Sequence, residues 1–297
     1  MSFIDLHNHC FIALDGGVES EAESLKLLQS AIDSDIRIMY VTPRKEPNGH
    51  FDPDNETILK ACRKLRKLAA HQHLDLDIRY GEEFRIKTDS IEVIQADQVL
   101  CYQDTNYVLI EFTRTNVFSK LIDQAIAALT DSGKKILIAH PERYFDDADE
   151  GVTLCRKWVD QGCYLQINRT SLTGYHGIYA EKLAHKLIRS GLAHVVATDA
   201  QANDAAKACR LDDVYEQTIK KHNKVQADLL FITNPALLTE NKAMLAVLRP
   251  RQQIKLIAFV RSKFKKRKPE KHPIQPEPKP DSERSETAEN GSDSKGE

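Results

Sequence analysis

The sequence predicts an α/β protein whose parallel strands close into a barrel, with an open doubly wound sheet as the alternative. Three observations carry this expectation. Short β-branched or apolar runs alternate with longer segments of helical period through roughly the first 240 residues. Polar, chemically competent residues come directly after the strand-like runs, at the end where such barrels place their chemistry. No phosphate-cradling glycine fingerprint stands after the first run, which weighs against a dinucleotide-binding open sheet.

In chain order, a strand at Phe3–Leu6 leads to a helix at Glu21–Ser34, and a strand at Arg37–Val41 to a helix at Asn55–His73. Next come strands at Leu76–Tyr80 and Tyr107–Ile110, then a helix at Ser119–Ser132. The pattern continues with strand Ile136–Ala139, helix Leu154–Gln161, strand Tyr164–Ile167 and helix Tyr179–Ser190. A strand at His194–Ala197 and a helix at Leu211–Lys221 complete it. Gly133, Gly162 and Gly191 stand where a left-handed C-cap ends a helix. Seven strand–helix units in one chain favour closure of the sheet.

Composition bounds the rest. The 297 residues carry 42 Lys+Arg against 44 Asp+Glu, so the large positive excess of a dedicated nucleic-acid binder is missing. No apolar run approaches the ~20 residues that span a bilayer. The start, Met1-Ser2-Phe3-Ile4-Asp5-Leu6-His7, lacks the basic and apolar regions of a signal peptide. Six well-separated cysteines (Cys10, Cys62, Cys101, Cys155, Cys163, Cys209) without a C-x-x-C pair read as reduced cytoplasmic thiols. The folded domain is expected over residues 1–249, a basic amphipathic segment over 250–268 and a disordered, Pro- then Ser/Glu-rich tail over 269–297. Residues 254–268 read as a terminal helix with a solvated charge run; weak contact with an anionic membrane or an acidic partner is the sharper alternative.

The residues at the strand tips carry the chemistry. These tips supply His7-Asn8-His9, Thr42-Pro43-Arg44, Gly81-Glu82-Glu83, Glu111, His140-Pro141-Glu142-Arg143, Gln166 with Asn168, and Thr198-Asp199-Ala200-Gln201. In a barrel they share one mouth. Carboxylates gathered there repel one another unless protonated or bridged by a cation, and divalent metal ions meet that need. Residues two apart on an extended strand point to one side, so His7 and His9 can reach one ion, with Asp5 as a candidate supporting partner. Taken singly, each has a bland alternative: Asp199 as a helix N-cap, Glu111 in a buried ion pair, Glu83 as a solvated loop residue. The joint pattern is the signal.

Six blocks appear in order: Ile4-Asp5-Leu6-His7-Asn8-His9, Tyr80-Gly81-Glu82-Glu83, Leu109-Ile110-Glu111-Phe112, Ala139-His140-Pro141-Glu142-Arg143-Tyr144, Gln166-Ile167-Asn168 and Val196-Ala197-Thr198-Asp199. Together they resemble the polymerase-and-histidinol-phosphatase (PHP) superfamily, in particular the bacterial manganese-dependent protein-tyrosine phosphatases of capsule and exopolysaccharide loci. The resemblance implies a distorted, TIM-like (β/α)7 barrel. It also implies a first ion on His7, His9, Glu83 and Asp199, with Glu83 bridging to a second ion on Glu111 and His140. A water or hydroxide between the ions would be the nucleophile, since cations ~3.5–4 Å apart lower its pKa and screen the phosphoryl oxygens. Arg143 resembles the phosphate-clamping arginine, and Asn168 a supporting residue. The implied substrate is a phosphotyrosine protein such as a membrane-anchored tyrosine kinase, met in the cytoplasm by an enzyme that forms homo-oligomers.

One part of the pattern departs. Relatives bind a third ion through an Asp of D-D-G, a His of T-S-H or T-P-H and the His of D-x-H. Here those positions read Gly16 (with Asp15 beside it), Arg44 and Gln201, and a further arginine is replaced by Ala206 next to Lys207. An arginine repels a cation, so the third site is expected to be empty, with Arg44 supplying fixed positive charge and Asp15 and Gln201 as remnants. Two other functions compete: a PHP phosphoesterase for a small phosphorylated metabolite, and a non-catalytic relative that binds metal or phosphoprotein.

Overall fold

The computed structural model describes residues 2–202 and 204–246. Among the described residues nine parallel strand segments form two sheets: β1 (Phe3–Asp5), β2 (Ile36–Val41) and β4 (Asp77–Tyr80) in the order β1-β2-β4; β3 (Arg44–Lys45), β5 (Glu83–Arg85), β6 (Tyr107–Glu111), β7 (Lys135–Ile138), β8 (Tyr164–Asn168) and β9 (Val195–Ala197) in the order β3-β5-β6-β7-β8-β9. The sheets are one wall. β3 prolongs β2 past Thr42-Pro43 and β5 prolongs β4 past Gly81-Glu82, with Gly81 N donating to Val41 O (3.0 Å) and Glu83 N to Pro43 O (2.9 Å). Beyond β1 and β9, Asp199 N donates to His7 O (2.8 Å) and His9 N to Ala200 O (2.9 Å), which closes the barrel. Seven strand positions result, those expected from the sequence. The short β3 and β5 were not expected, because a proline and a Gly-Glu pair break the apolar runs just before them.

The helices are α1 (Glu21–Asp33), α2 (Asn55–His71), α3 (Ser90–Gln95), α4 (Lys120–Asp131), α5 (Ala148–Asp160), α6 (Arg169–Leu172), α7 (Ile178–Arg189), α8 (Asp212–Lys221), α9 (Lys224–Asp228) and α10 (Asn234–Thr239). α5 begins six residues before the expected Leu154, because Asp147 caps the N–H groups of Asp149 and Glu150 (2.8 and 2.9 Å). α3, α6, α9 and α10 span 4–6 residues, too few for a helical period to register in the sequence.

Period-two alternation sorts the strand residues. Val108, Ile110, Ile136, Ile138, Leu165 and Ile167 face outward into the packing layer beneath the helices. Tyr107, Leu109, Leu137, Ala139, Val195 and Ala197 face inward, where Leu6, Tyr40 and Tyr102 fill the lumen and Leu238 and Met244 pack against its floor. One rung further along, the inward rows turn polar, at Glu111, Asn168 and Asp199. All six thiols are free. Among the described residues no helix is long and apolar enough to cross a membrane. The basic segment expected at 250–268, the tail at 269–297 and the end of the domain expected at residue 249 lie outside the described residues.

Candidate metal centre

Two groups of ligand atoms, each mutually within 4.8 Å, meet at the mouth: His7, His9 and Asp199, and His7, Glu83 and His140. His7 Nε2 lies 3.3 Å from Glu83 Oε1 and 3.7 Å from Asp199 Oδ1, and His9 Nε2 lies 3.2 Å from Asp199 Oδ1 and 3.7 Å from Glu83 Oε2. Glu83 therefore turns one oxygen to each imidazole of the His7-Asn8-His9 end, and its Oε1 also stands 2.8 Å from His140 Nε2. Glu111 is at the edge, with Oε2 3.9 Å from His140 Nε2, because Arg85 donates to its other oxygen through Nε (2.7 Å) and Nη2 (2.6 Å). All six side chains are buried.

Hydrogen bonds fix which nitrogen His7 and His9 offer. The Asp199 carboxylate can only accept, so Asn168 Nδ2 donates to it (2.6 Å). Asn168 Oδ1 then accepts from Gln166 Nε2 (2.7 Å), and Gln166 Oε1 accepts from His7 Nδ1 (3.0 Å). With the proton on Nδ1, the buried His7 Nε2, which has no hydrogen-bond partner, turns a lone pair toward two carboxylates. His9 Nδ1 likewise donates to Asp15, leaving its Nε2 lone pair facing Asp199. Lone pairs aimed at carboxylate oxygens are repulsive until a cation stands between them, so these residues fit a metal ion.

The electrostatics agree. Burial pushes the His7 imidazolium down, but Glu83 and Asp199 more than compensate and raise its pKa to about 9, so that without a metal ion a proton takes the place on Nε2 that the cation would fill. Burial pushes Glu83 and Asp199 up, yet His7 and His140 hold Glu83, and His9 and His7 hold Asp199, well below the carboxylate range. Glu111 rises to about 8 through burial and the charge of Glu83. The cluster attracts positive charge. His140 and Asp199 also adopt positive φ (33° and 49°), strain of the kind found at functional sites.

The remaining candidates surround this cluster in supporting positions. Asp5 bonds neither imidazole, a correction to its expected role beside them. Its carboxylate accepts from Thr198 N (2.9 Å), Thr198 Oγ1 (2.7 Å) and Asn8 Nδ2 (2.8 Å), pinning the backbone that presents Asp199 and His9. Asp15, considered as a third-ion remnant, is spent on His9, on Arg44 N (3.0 Å) and on Gly17 N (3.2 Å). Arg44 Nη1 donates to Asp15 O (3.0 Å) and its Nε stands 4.0 Å from Glu83 Oε2. Gln201 Nε2 donates to Asp199 Oδ1 (3.2 Å), and its Oε1 accepts from Lys207 Nζ (3.1 Å). Arg143 Nη1 donates to Asp199 Oδ2 (2.9 Å), with its side chain one-third exposed to the mouth. Sequence reasoning missed the supporting roles of Gln166 and Arg85. Their signal was the i, i+2 relation to Asn168 and Glu83, which on a strand means a shared face.

The model of the family described as capsular polysaccharide synthesis, CpsB/CapC, matches residues 3–240. The chain is 29% identical over 237 residues to the tyrosine-protein phosphatase CpsB of Streptococcus pneumoniae, covering 78% of this chain and 96% of that protein. It is 30% identical over 197 residues to the tyrosine-protein phosphatase YwqE of Bacillus subtilis, covering 66% and 76%. A solved structure from work on YwqE and CpsB, described as unique metal-dependent tyrosine phosphatases, superimposes with a TM-score of 0.74 at 27% identity, covering 83% of this chain and 98% of that one. The Escherichia coli phosphotriesterase homology protein, at 11% identity and a TM-score of 0.52 over 80% and 98% of the chains, shares the fold alone. With the barrel, the histidine–carboxylate mouth and a match spanning residues 3–240 in agreement, the chain belongs to the CpsB/CapC family.

Proposed function

We propose that the protein is a metal-dependent phosphatase that hydrolyses phosphotyrosine in proteins, with a tyrosine kinase of capsule or exopolysaccharide synthesis as its substrate in the cytoplasm. The observation that carries this reading is the pair of ligand groups sharing His7, with arginines beside them. His7, His9, Glu83 and Asp199 would hold one ion, and Glu83, Glu111 and His140 a second, with manganese the proposed metal. When bound, two such ions supply an activated water and screen the phosphoryl charge.

The chain's own residues do the rest. Arg143 keeps one nitrogen on Asp199 and turns the remaining fork toward solvent at the mouth, where it suits bidentate contact with phosphoryl oxygens. Arg44, anchored on Asp15 O, brings a fixed positive charge to the Glu83 side, and Lys207, anchored on Gln201, brings another to the Asp199 side. Arg44 stands at a position that holds a third-ion ligand in relatives, as does the Gln201 that anchors Lys207, which supports a two-ion enzyme. Hydrolysis of phosphotyrosine peptides with added Mn²⁺, together with metal analysis, tests the proposal. About two ions per chain and turnover abolished by His140→Ala are expected. Bound metal without turnover would overturn it in favour of a binding module, and preference for a small phosphorylated metabolite would replace the substrate.

A further inference from the structure

Six large apolar or aromatic side chains are exposed among the described residues, and four of them, Phe118, Tyr175, Ile178 and Tyr179, lie on segments leaving the C-terminal ends of strands. Phe118 is on the segment after β6 and rests edge-on against Phe145, after β7, at 5.9 Å. Tyr175 precedes α7, which Ile178 and Tyr179 open, so all three come after β8. β6, β7 and β8 are consecutive in the sheet. The two apolar groups therefore flank the Pro141–Arg143 turn that carries the phosphate-binding arginine. Tyr175 donates its hydroxyl to Asp204. Isolated exposed apolar residues are ordinary; their concentration around one opening marks a binding surface.

We propose that Phe118 on one side of Arg143, and Ile178 with Tyr179 on the other, form docking rims for a polypeptide whose apolar or aromatic residues flank the phosphotyrosine. This rests on the phosphatase reading and names its substrate class. Charge complementarity selects the occupant: Arg143, Arg44 and Lys207 face the dianionic phosphate, whereas the exposed Phe118, Ile178 and Tyr179 side chains are uncharged and match apolar side chains on the adjoining chain. A metabolite-sized phosphate has nothing to place on them.

The test compares free phosphotyrosine with two synthetic phosphotyrosine peptides, one flanked by Leu and Tyr, the other by Ser and Gly. The native enzyme should favour the apolar peptide by about tenfold in kcat/KM, and Ile178→Ser/Tyr179→Ser and Phe118→Ser should each raise KM for that peptide by roughly five- to tenfold while leaving kcat, and all constants for free phosphotyrosine, within about twofold. Equal use of both peptides, or an unchanged KM in the variants, overturns the proposal. So does a fall in native mass by sedimentation in the variants, which would assign the rims to a second copy of the chain. Failure of the native enzyme on all three substrates is distinguishable from these, because it removes the phosphatase reading and the docking proposal together.

Discussion

His7 faces its ligand cluster with the correct nitrogen because two amides behind it leave no alternative. Asp199 accepts from Asn168, Asn168 accepts from Gln166, and Gln166 accepts from His7, so reversing any amide would set donor against donor or acceptor against acceptor. Residues that orient metal ligands typically contribute ten- to a hundredfold in affinity. Gln166→Leu and Asn168→Ala are each expected to weaken Mn²⁺ binding by about that factor in calorimetric titration; native affinity in both would refute the relay. Arg44 makes a separate prediction. Arg44→Met should raise the KM for phosphotyrosine by roughly tenfold with the ion count unchanged, as loss of one charged hydrogen-bond donor implies. Arg44→His/Gln201→His should lower turnover for the same reason. A gain in that double variant would mean that the third-ion position was lost without replacement.

Packing between elements sets the frame that holds this mouth open. α5 approaches α7 at Gly151, where a Cβ would lie 2.5 Å from Leu183 Cδ2 and 3.0 Å from Phe145 Cδ2, both side chains being buried. Gly151→Ala would gain about 1 kcal/mol of helix propensity. Overpacking costs about 1–3 kcal/mol. The clash is expected to win, with a net loss of about 1 kcal/mol in denaturant unfolding. Between α7 and α8, Lys221 Nζ donates to His185 Nε2 (2.7 Å), and His185 Nδ1 donates to His222 Nε2 (3.1 Å). Burial, then the charge of Lys221, lowers the His185 pKa to about 4, and burial, then Arg189, does the same for His222. Glu181, 3.9 Å from His185, opposes the shift without cancelling it. Unfolded histidines titrate near 6.5, so between there and about 4 the unfolded chain binds more protons. The pair's contribution is thus complete above pH ~6.5 and lost as pH falls toward 4. Thermal midpoints should decline over that window, and His185→Gln/His222→Gln should flatten the decline; parallel curves for both proteins would contradict this.

For the whole molecule, the proposed ligands come from β1, β5, β6, β7 and β9 or the segments just after them, so bound ions would tie together most of the barrel's circumference. An ion that binds only the folded chain stabilises it by about 2.7 kcal/mol at a hundred times Kd. For a domain of this size each kcal/mol moves the midpoint by about 2–4 °C. EDTA treatment should therefore lower Tm by roughly 5–10 °C, and Mn²⁺ should restore it. An unchanged Tm would mean that the buried carboxylates are balanced by protons instead.

The sequence by itself determined the seven strand positions and the polar residues that gather at the mouth, because both write themselves locally: apolar runs declare strands, and the polar residue at the end of each run declares the mouth. It also marked Arg44 and Gln201 as departures, because a changed residue type is visible at a fixed motif position. Only the tertiary structure decided what the supporting residues touch. Asp5 was legible as an acid two residues before His7, but its bonds run to Thr198 and Asn8, across the seam where β1 meets β9. Gln166 and Asp15, not Asp5, orient the imidazoles, and Arg85 takes one oxygen of Glu111. These pairings join residues as far apart as 193 positions, and their geometry is set by barrel closure, which no local pattern encodes.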